Sequence, residues 1–167
     1  MSALAALASK GSAAATAPSV QRDLRALAPK FAAALADGLN ECWRRGLDAV
    51  VHEAVRADDL QRHYYAQGRT RPGAVVTYAA SALYSWHGYG LAVDIISASK
   101  AWGFSSQWIN AVAAIMEARG LDWGGRWKRQ DLPHFQFGTL KPSPSDRARE
   151  LLRTGGREAV WREVGAL

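Results

Sequence analysis

The chain of 167 residues has a single cysteine, Cys42, and only four histidines. One cysteine excludes an internal disulfide and a cysteine-based zinc site. Cys42 lies between Leu39 and Trp43 in a stretch with helical periodicity, so we expect a buried thiol rather than a nucleophile. No apolar run approaches the ~20 residues that a membrane-spanning helix needs. Any metal chemistry must therefore come from histidine and carboxylate side chains.

Acidic residues are fewer than basic ones, 15 against 21, and the formal net charge is +6. Such a charge favours polyanionic partners. The basic residues are scattered among acids, with no basic run and no recognisable nucleic-acid-binding motif, so we expect no nucleic-acid partner. Hydrophobic residues make up 49% of the chain, which fits one domain with a sizeable core.

Two segments combine histidine with aspartate among glycine, proline and aromatic residues. One holds His87 and Asp94, and the other holds Asp131 and His134. A hydrolytic zinc ion needs three protein ligands, commonly histidines with a carboxylate, an open position for water, and a base beside that water. We therefore predict one Zn²⁺ bound by His87, Asp94 and His134, with Asp131 as the general base. Each segment alone is weak support, because a histidine beside a glycine-rich turn is most often structural.

The spacing within the first segment requires a turn. Seven residues separate His87 from Asp94, which fits one helix face, but Gly88 and Gly90 followed by β-branched residues favour a turn that leads into a strand. An odd separation along a straight strand places two side chains on opposite faces. The Gly88–Gly90 turn must therefore reorient His87 toward Asp94.

The second segment predicts a turn followed by a strand. Pro133 disfavours a helix between Asp131 and His134. Beyond it the residues alternate, with His134 and Gln136 on one face and aromatic residues on the other, as in a half-buried strand.

The rest of the chain predicts helices and short strands without regular alternation, which indicates an α+β fold. The predicted elements are a helix over 20–39 broken or restarted at Pro29, a strand over 49–55, a helix over 58–66, a strand over 75–78, a helix over 107–119, and two short helices separated by Gly155-Gly156. We divide the chain into a flexible Ala/Ser-rich leader (1–18) without features of a secretory signal, a catalytic zinc domain (19–140), and a helical extension packed on it (141–167). Trp43, Trp102 and Trp108 are expected in the core, whereas Trp86 and Trp123 suit a cleft wall or the core equally.

The pattern Ser-x-His-x-x-Gly-x-Ala-x-Asp at 85–94, followed by an acidic residue three before a histidine, resembles a known family. It is similar to the zinc peptidoglycan peptidases, which include D-alanyl-D-alanine dipeptidases and carboxypeptidases and L-alanyl-D-glutamate endopeptidases. Further matches are Tyr65–Thr70, Pro72-Gly73 and Trp123-Gly124-Gly125, so the resemblance runs from about Leu24 to Phe137. Asp-x-Pro-His-Phe-Gln at 131–136 resembles the L-alanyl-D-glutamate branch of phage endolysins and bacterial autolysins, since the dipeptidase branch typically has Glu at the base position.

The resemblance implies a hedgehog/D,D-peptidase-like fold, a small antiparallel sheet flanked by helices. It implies that Arg56 stabilises the anionic intermediate; a surface ion pair with Asp58 or Asp59 is the alternative for Arg56. Other residues are expected to line or brace the cleft, namely Ser85, Gln61, Gln67, Arg69 and Trp123, and a structural clamp is the favoured role for Arg69. The chain departs from the family at residues 54–57, Ala-Val-Arg-Ala in place of Gly-Tyr-Arg-Ser, and at Gly88, where Asn is common.

The resulting expectation is a zinc metallopeptidase that cuts the peptidoglycan stem peptide, most simply at the L-alanyl-D-glutamate bond. We expect a monomeric phage or prophage endolysin, hence a bacteriolytic and antimicrobial enzyme, made in the host cytoplasm and acting on the cell wall or periplasm. Its positive charge suits anionic envelope polymers or lipopolysaccharide, although a solubilising surface explains the charge equally well. Alternatives are a D,D-carboxypeptidase or D,D-endopeptidase with the same site, and a non-catalytic wall-binding module. Asp131 argues against the last, because binding needs no base.

Overall fold

The computed structural model describes residues 17–167, so all but the last two residues of the predicted leader lie outside the described residues. Within this range the helices are α1 (Pro29–Arg44), α2 (Asp58–Ala66), α3 (Ser106–Glu117) and α4 (Asp146–Glu163), and the strands are β1 (Ala49–Glu53), β2 (Ala92–Ser97), β3 (Leu121–Trp123) and β4 (His134–Phe137). None of these helices is long and apolar enough to cross a bilayer.

The strands form one antiparallel sheet in the order β1-β2-β4-β3. Every residue of β2 is buried, because this strand has a neighbour on each side and lies inside the core. The register places Asp94 of β2 directly opposite His134 of β4 and Glu53 of β1. A small antiparallel sheet flanked by helices was expected, and the predicted α+β fold is confirmed.

Helix α1 begins at Pro29, as expected from the fixed φ of proline at a first helical position. Its buried face carries Phe31, Leu35 and Cys42, and Gly38 allows close approach to α3, since a Cβ there would lie 2.4 Å from Met116 Sδ. Burial raises the pKa of the Cys42 thiol to about 11, which leaves it protonated and unreactive at neutral pH. The expectation of a buried, non-nucleophilic cysteine is confirmed.

Two expectations about the surface are wrong. Residues 75–78 form no strand, and Val76 and Tyr78 are exposed. Trp43 and Trp102 are each 54% exposed, so neither belongs to the core, whereas Trp108 does pack against it. Hydrophobicity predicts the average burial of a residue type, but it cannot tell which indole faces a loop or an open cleft.

Helix α4 packs against the turn that follows the first predicted metal ligand. Ser145 caps the start of the helix, because its side chain accepts a hydrogen bond from Ala148 N, and the helix kinks at Gly156, where φ is +69°. Arg157 Nε donates to Gly88 O (3.0 Å), and Trp161 Nε1 donates to Tyr89 O (2.7 Å). The C-terminal segment therefore stabilises the turn that follows His87. The division of the chain into three parts remains a prediction.

Candidate metal centre

The structure brings together the three predicted ligands. His87, Asp94 and His134 are buried and offer ligand atoms that lie within 4.8 Å of one another. Asp94 Oδ1 lies 3.4 Å from His87 Nε2 and 3.8 Å from His134 Nδ1. Nitrogen and oxygen atoms at this spacing can surround one small cation if the three side chains move slightly closer together.

Two local features produce this convergence. Asp94 and His134 are paired residues on adjacent antiparallel strands, so their side chains project to the same side of the sheet. His87 belongs to a 3-10 turn, Trp86–Tyr89, which Gly90 ends in the left-handed conformation (φ +68°). Gly88 packs closely against the preceding 3-10 turn, Ala82–Tyr84, because a Cβ there would lie 2.4 Å from Ala82 O. The predicted reorientation of His87 by the Gly88–Gly90 turn is thus present in the structure.

A backbone carbonyl fixes the orientation of His87. Its Nδ1 lies 2.9 Å from Ala54 O, and a carbonyl only accepts, so Nδ1 carries the proton. Nε2 is then unprotonated, and its lone pair faces the space that it shares with Asp94 Oδ1. This is the usual arrangement of a metal-binding histidine, which donates its second N–H to a carbonyl or carboxylate.

Gln136 fixes the orientation of His134 in the same way. The Gln136 amide nitrogen donates to Leu140 O (3.1 Å) and Lys141 O (3.2 Å), so the amide oxygen faces His134 Nε2 at 3.2 Å. Nε2 is therefore the protonated nitrogen, and Nδ1 faces the centre. Gln136 was not among the predicted site residues, although the strand alternation had placed it on the same face as His134.

Arg56 holds the carboxylate ligand from behind. Its Nη2 donates to Asp94 Oδ2 (3.1 Å), its Nη1 donates to Gln61 Oε1 (3.0 Å), and its Nε pairs with Glu53. Arg56 is buried, so the alternative of a surface ion pair with a neighbouring aspartate is wrong. Arg56 follows β1, and its side chain supplies the counter-charge that the buried Glu53 and Asp94 need.

The charges around Asp94 keep it ionised. Burial alone would raise the pKa of the Asp94 carboxyl, but His87, Arg56 and His134 together hold that pKa well below its usual range. Burial and the neighbouring His87 lower the pKa of His134 to about 4. At neutral pH the three residues therefore present a carboxylate and a neutral His134, the protonation states that bind a metal.

Asp131 stands beside this group, and its pKa shifts in the opposite direction. Crowding by surrounding protein atoms and the negative charge of Asp94 raise the pKa of Asp131 to about 6, although the side chain is reached by solvent in the cleft. Its backbone is held in a turn, in which Asp131 N donates to Gly124 O (3.0 Å) and His134 N donates to Asp131 O (3.2 Å). A Cβ on Gly124 would lie 2.5 Å from Asp131 O, so this position requires glycine.

The four residues border an open cleft of about 1380 Å³. Of the other predicted site residues, Ser85 and Gln67 line this cleft, and so does Arg56. Gln61 is buried behind Arg56 and also donates to Ala79 O (2.7 Å), so it braces the cleft rather than lining it.

Arg69 and Trp123 lie away from the lining of the cleft. Arg69 donates to Tyr65 O (2.6 Å) and Thr77 O (3.1 Å), which makes it a clamp on the loop between these residues. Trp123 is buried and donates from Nε1 to Leu132 O (2.7 Å), so it supports the turn of Asp131 and His134. Trp86, by contrast, lines the cleft while most of its surface is buried.

Two imidazoles and one carboxylate, with a free carboxyl beside them in an open cleft, define the class of mononuclear metal-dependent hydrolases. The donor set fits a divalent ion that accepts nitrogen and oxygen ligands. Residues 79–137, which carry all four of these side chains, match the family model described as D-alanyl-D-alanine carboxypeptidase. Over the segment that holds the metal centre, the chain is therefore similar to the peptidase family that this model describes.

Individual proteins are also similar to this chain. The chain is 37% identical over 106 residues to the peptidoglycan L-alanyl-D-glutamate endopeptidase CwlK of Bacillus subtilis. The aligned segment covers 56% of this chain and 62% of the length of CwlK. In structure it is similar to the L-Ala D-Glu endopeptidase ChiX of Serratia marcescens (TM-score 0.53, 22% identity, 68% of this chain and 82% of that one). It is also similar to the LD-carboxypeptidase LdcB (TM-score 0.54, 16% identity, covering 89% of this chain and 73% of that one). The two structural likenesses concern the fold.

Proposed function

We propose that this protein is a zinc-dependent peptidase that hydrolyses the L-alanyl-D-glutamate bond of the peptidoglycan stem peptide. The observation that carries the proposal is the convergence of His87, Asp94 and His134 beside the free Asp131 in one cleft. The Bacillus relative is named for this activity, and its 37% identity supports the same bond as the target.

Zinc is the metal that this donor set favours, because two neutral imidazoles and a carboxylate leave a fourth position open in a tetrahedral site. When bound, the ion supplies a water of lowered pKa and polarises the scissile carbonyl. The chain prepares for it by fixing both histidine tautomers through Ala54 O and Gln136 Oε1. Such supporting contacts raise metal affinity because they remove the freedom of the rings to turn away.

Asp131 serves as the general base in this proposal. It accepts the proton of the attacking water and passes it to the amine of the leaving group. A raised pKa suits both steps, because a carboxyl that titrates near neutrality is a stronger base than an ordinary aspartate and returns its proton readily. The turn through Gly124 keeps Asp131 at a fixed position relative to His134.

Arg56 has two roles in this proposal: it positions Asp94, and it supplies positive charge to the cleft. Glu53, Gln61 and Asp94 use three of its five N–H groups, so two have no hydrogen-bond partner among residues 17–167, and Arg56 borders the cleft. We assign these to the oxyanion that develops on the scissile carbonyl, a contribution of about 3 kcal/mol in comparable sites.

The second candidate is a carboxypeptidase that removes a terminal residue of the stem peptide. It is favoured by the description of the family model and by the structural likeness to an LD-carboxypeptidase. In either case the site of action is the cell wall, and an endolysin role in lysis is the biological setting that we propose for the endopeptidase.

Mass spectrometry of products from purified peptidoglycan separates the candidates. The zinc-loaded protein should create new amino termini at D-glutamate, with Asp131→Asn as the inactive control. Release of a terminal alanine without new glutamate amino termini would favour the carboxypeptidase. A digest with neither product would contradict both and favour a binding module.

A further inference from the structure

The cleft has an aromatic wall that the proposed chemistry does not use. His52 and Trp102 both line the cleft, and their rings contact edge to face with centroids 4.7 Å apart. Trp102 is 54% exposed, whereas His52 is half-buried beneath it. An indole of this size is normally buried, so its exposure inside a substrate cleft needs a reason.

An irregularity in β1 directs His52 into the cleft. The pairing of β1 with β2 shifts register between Val51, which lies opposite Ile95, and Glu53, which lies opposite Asp94. His52 is therefore the extra residue of a bulge, next to the pair that contains a metal ligand. Bulges re-aim side chains and are frequent beside active sites.

A second irregularity holds Trp102 in place. The preceding residue, Ala101, has a left-handed backbone (φ +48°), which costs an alanine about 1 kcal/mol or more. Ala101 is locked by reciprocal backbone hydrogen bonds with Ser97, of 2.9 and 3.4 Å. Asp48 closes the same loop by accepting from Ser97 Oγ (2.9 Å) and Ser99 N (2.8 Å). The indole is thus presented by a rigid loop instead of by core packing.

The character of this wall suits an uncharged ligand with an apolar face. The cationic residues of the cleft lining lie elsewhere, at Arg56 and at the adjacent Lys128 and Arg129. Carboxylates of a stem peptide would be attracted to those positions. An exposed indole instead offers a flat apolar surface, and the imidazole edge next to it offers a hydrogen-bonding group.

We propose that His52 and Trp102 form a subsite for the sugar of the glycan strand, an inference that rests on the proposed endopeptidase function. In peptidoglycan the L-alanine of the stem is amide-linked to the lactyl group of muramic acid, so the bond to D-glutamate lies one residue from a pyranose. The C–H face of that ring packs on the Trp102 indole, and a hydroxyl or acetamido group bonds the His52 imidazole. The subsite makes substrates that carry the sugar better than bare peptides.

Two matched substrates test the subsite, a muramyl peptide and the same peptide with an N-acetyl group in place of the sugar. The unaltered zinc protein should cleave the muramyl peptide with kcat/KM about tenfold higher, mainly through a lower KM. Trp102→Ala should remove this advantage and leave the acetyl peptide within about twofold, and Trp102→Phe should restore part of it. Trp43→Ala is the matched control, because Trp43 is equally exposed but lies outside the cleft lining.

Equal losses on both substrates would overturn the subsite and assign Trp102 to the peptide or to the general shape of the cleft. Absence of a sugar advantage in the unaltered protein would overturn it as well. If neither peptide is cleaved, the proposed function fails separately, and calorimetric titration with a muramic-acid-containing disaccharide decides the subsite. Binding lost in Trp102→Ala but kept in Trp43→Ala would support it, and no binding to the unaltered protein would refute it.

Discussion

Replacing Asp131 with asparagine should abolish most turnover while making the metal-free protein more stable. The substitution keeps the shape of the side chain and removes its negative charge and basicity. Loss of a positioned general base typically costs a factor of about 10²–10⁴ in rate. Metal content should stay at the parental level, because His87, Asp94 and His134 are unchanged.

The stability gain follows from the raised pKa of Asp131. A carboxyl with a pKa of about 6 in the folded protein and an ordinary pKa of 3.8 when unfolded prefers to be neutral in the native state. Its ionisation therefore opposes folding as pH rises from about 4 to 6, and the whole penalty is present at pH 7. The shift corresponds to about 3 kcal/mol at most, and exposure to solvent in the cleft screens this to about 1 kcal/mol.

Urea unfolding of the chelator-treated parent and variant at pH 7 and pH 3 measures this effect. The variant should be more stable by about 1 kcal/mol at pH 7 and nearly equal to the parent at pH 3, where the carboxyl is protonated in both the folded and the unfolded protein. His134, whose pKa is lowered, titrates in both proteins, so its effect on the free energy of unfolding cancels in the comparison. Equal stability at both pH values, or an Asn variant with parental turnover, would refute the assignment of a destabilised base at position 131.

Other substitutions test the support of the centre. His87→Ala and His134→Ala should each lose the metal, and full occupancy in elemental analysis would contradict the ligand assignment. Gln136→Leu should weaken metal affinity by about 10–100-fold in competition with a chelator, because the His134 ring loses the acceptor that fixes it; unchanged affinity would exclude this role. Gly124→Ala should destabilise the protein by about 1–3 kcal/mol through overpacking and weaken metal binding. Gly46→Ala, where a Cβ meets nothing within 4 Å, should show only backbone strain and leave metal binding unchanged.

Local patterns predicted most of the elements. The helix expected over 58–66 is present as α2, and the helix expected over 107–119 is present as α3 within two residues at each end. These segments have strong start and stop signals, such as Ser105 capping α3 and acidic residues in the first turn of α2. The strand expected over 75–78 is wrong, because these residues pair with no other strand in the described part of the chain and instead line the cleft.

The sequence by itself indicated the chemistry of the centre, because two of its four histidines, His87 and His134, each lie near an aspartate in a segment rich in glycine, proline and aromatic residues, and these segments resemble a known family. Tertiary structure decided what those residues can do. The register of β2 against its neighbours places Asp94 between a histidine ligand and the buried Glu53–Arg56 pair, and a change of one residue would turn it to the opposite face. The histidine tautomers, the shifted pKa of Asp131 and the exposed Trp102 likewise depend on groups distant in the chain, whose contacts no local pattern encodes.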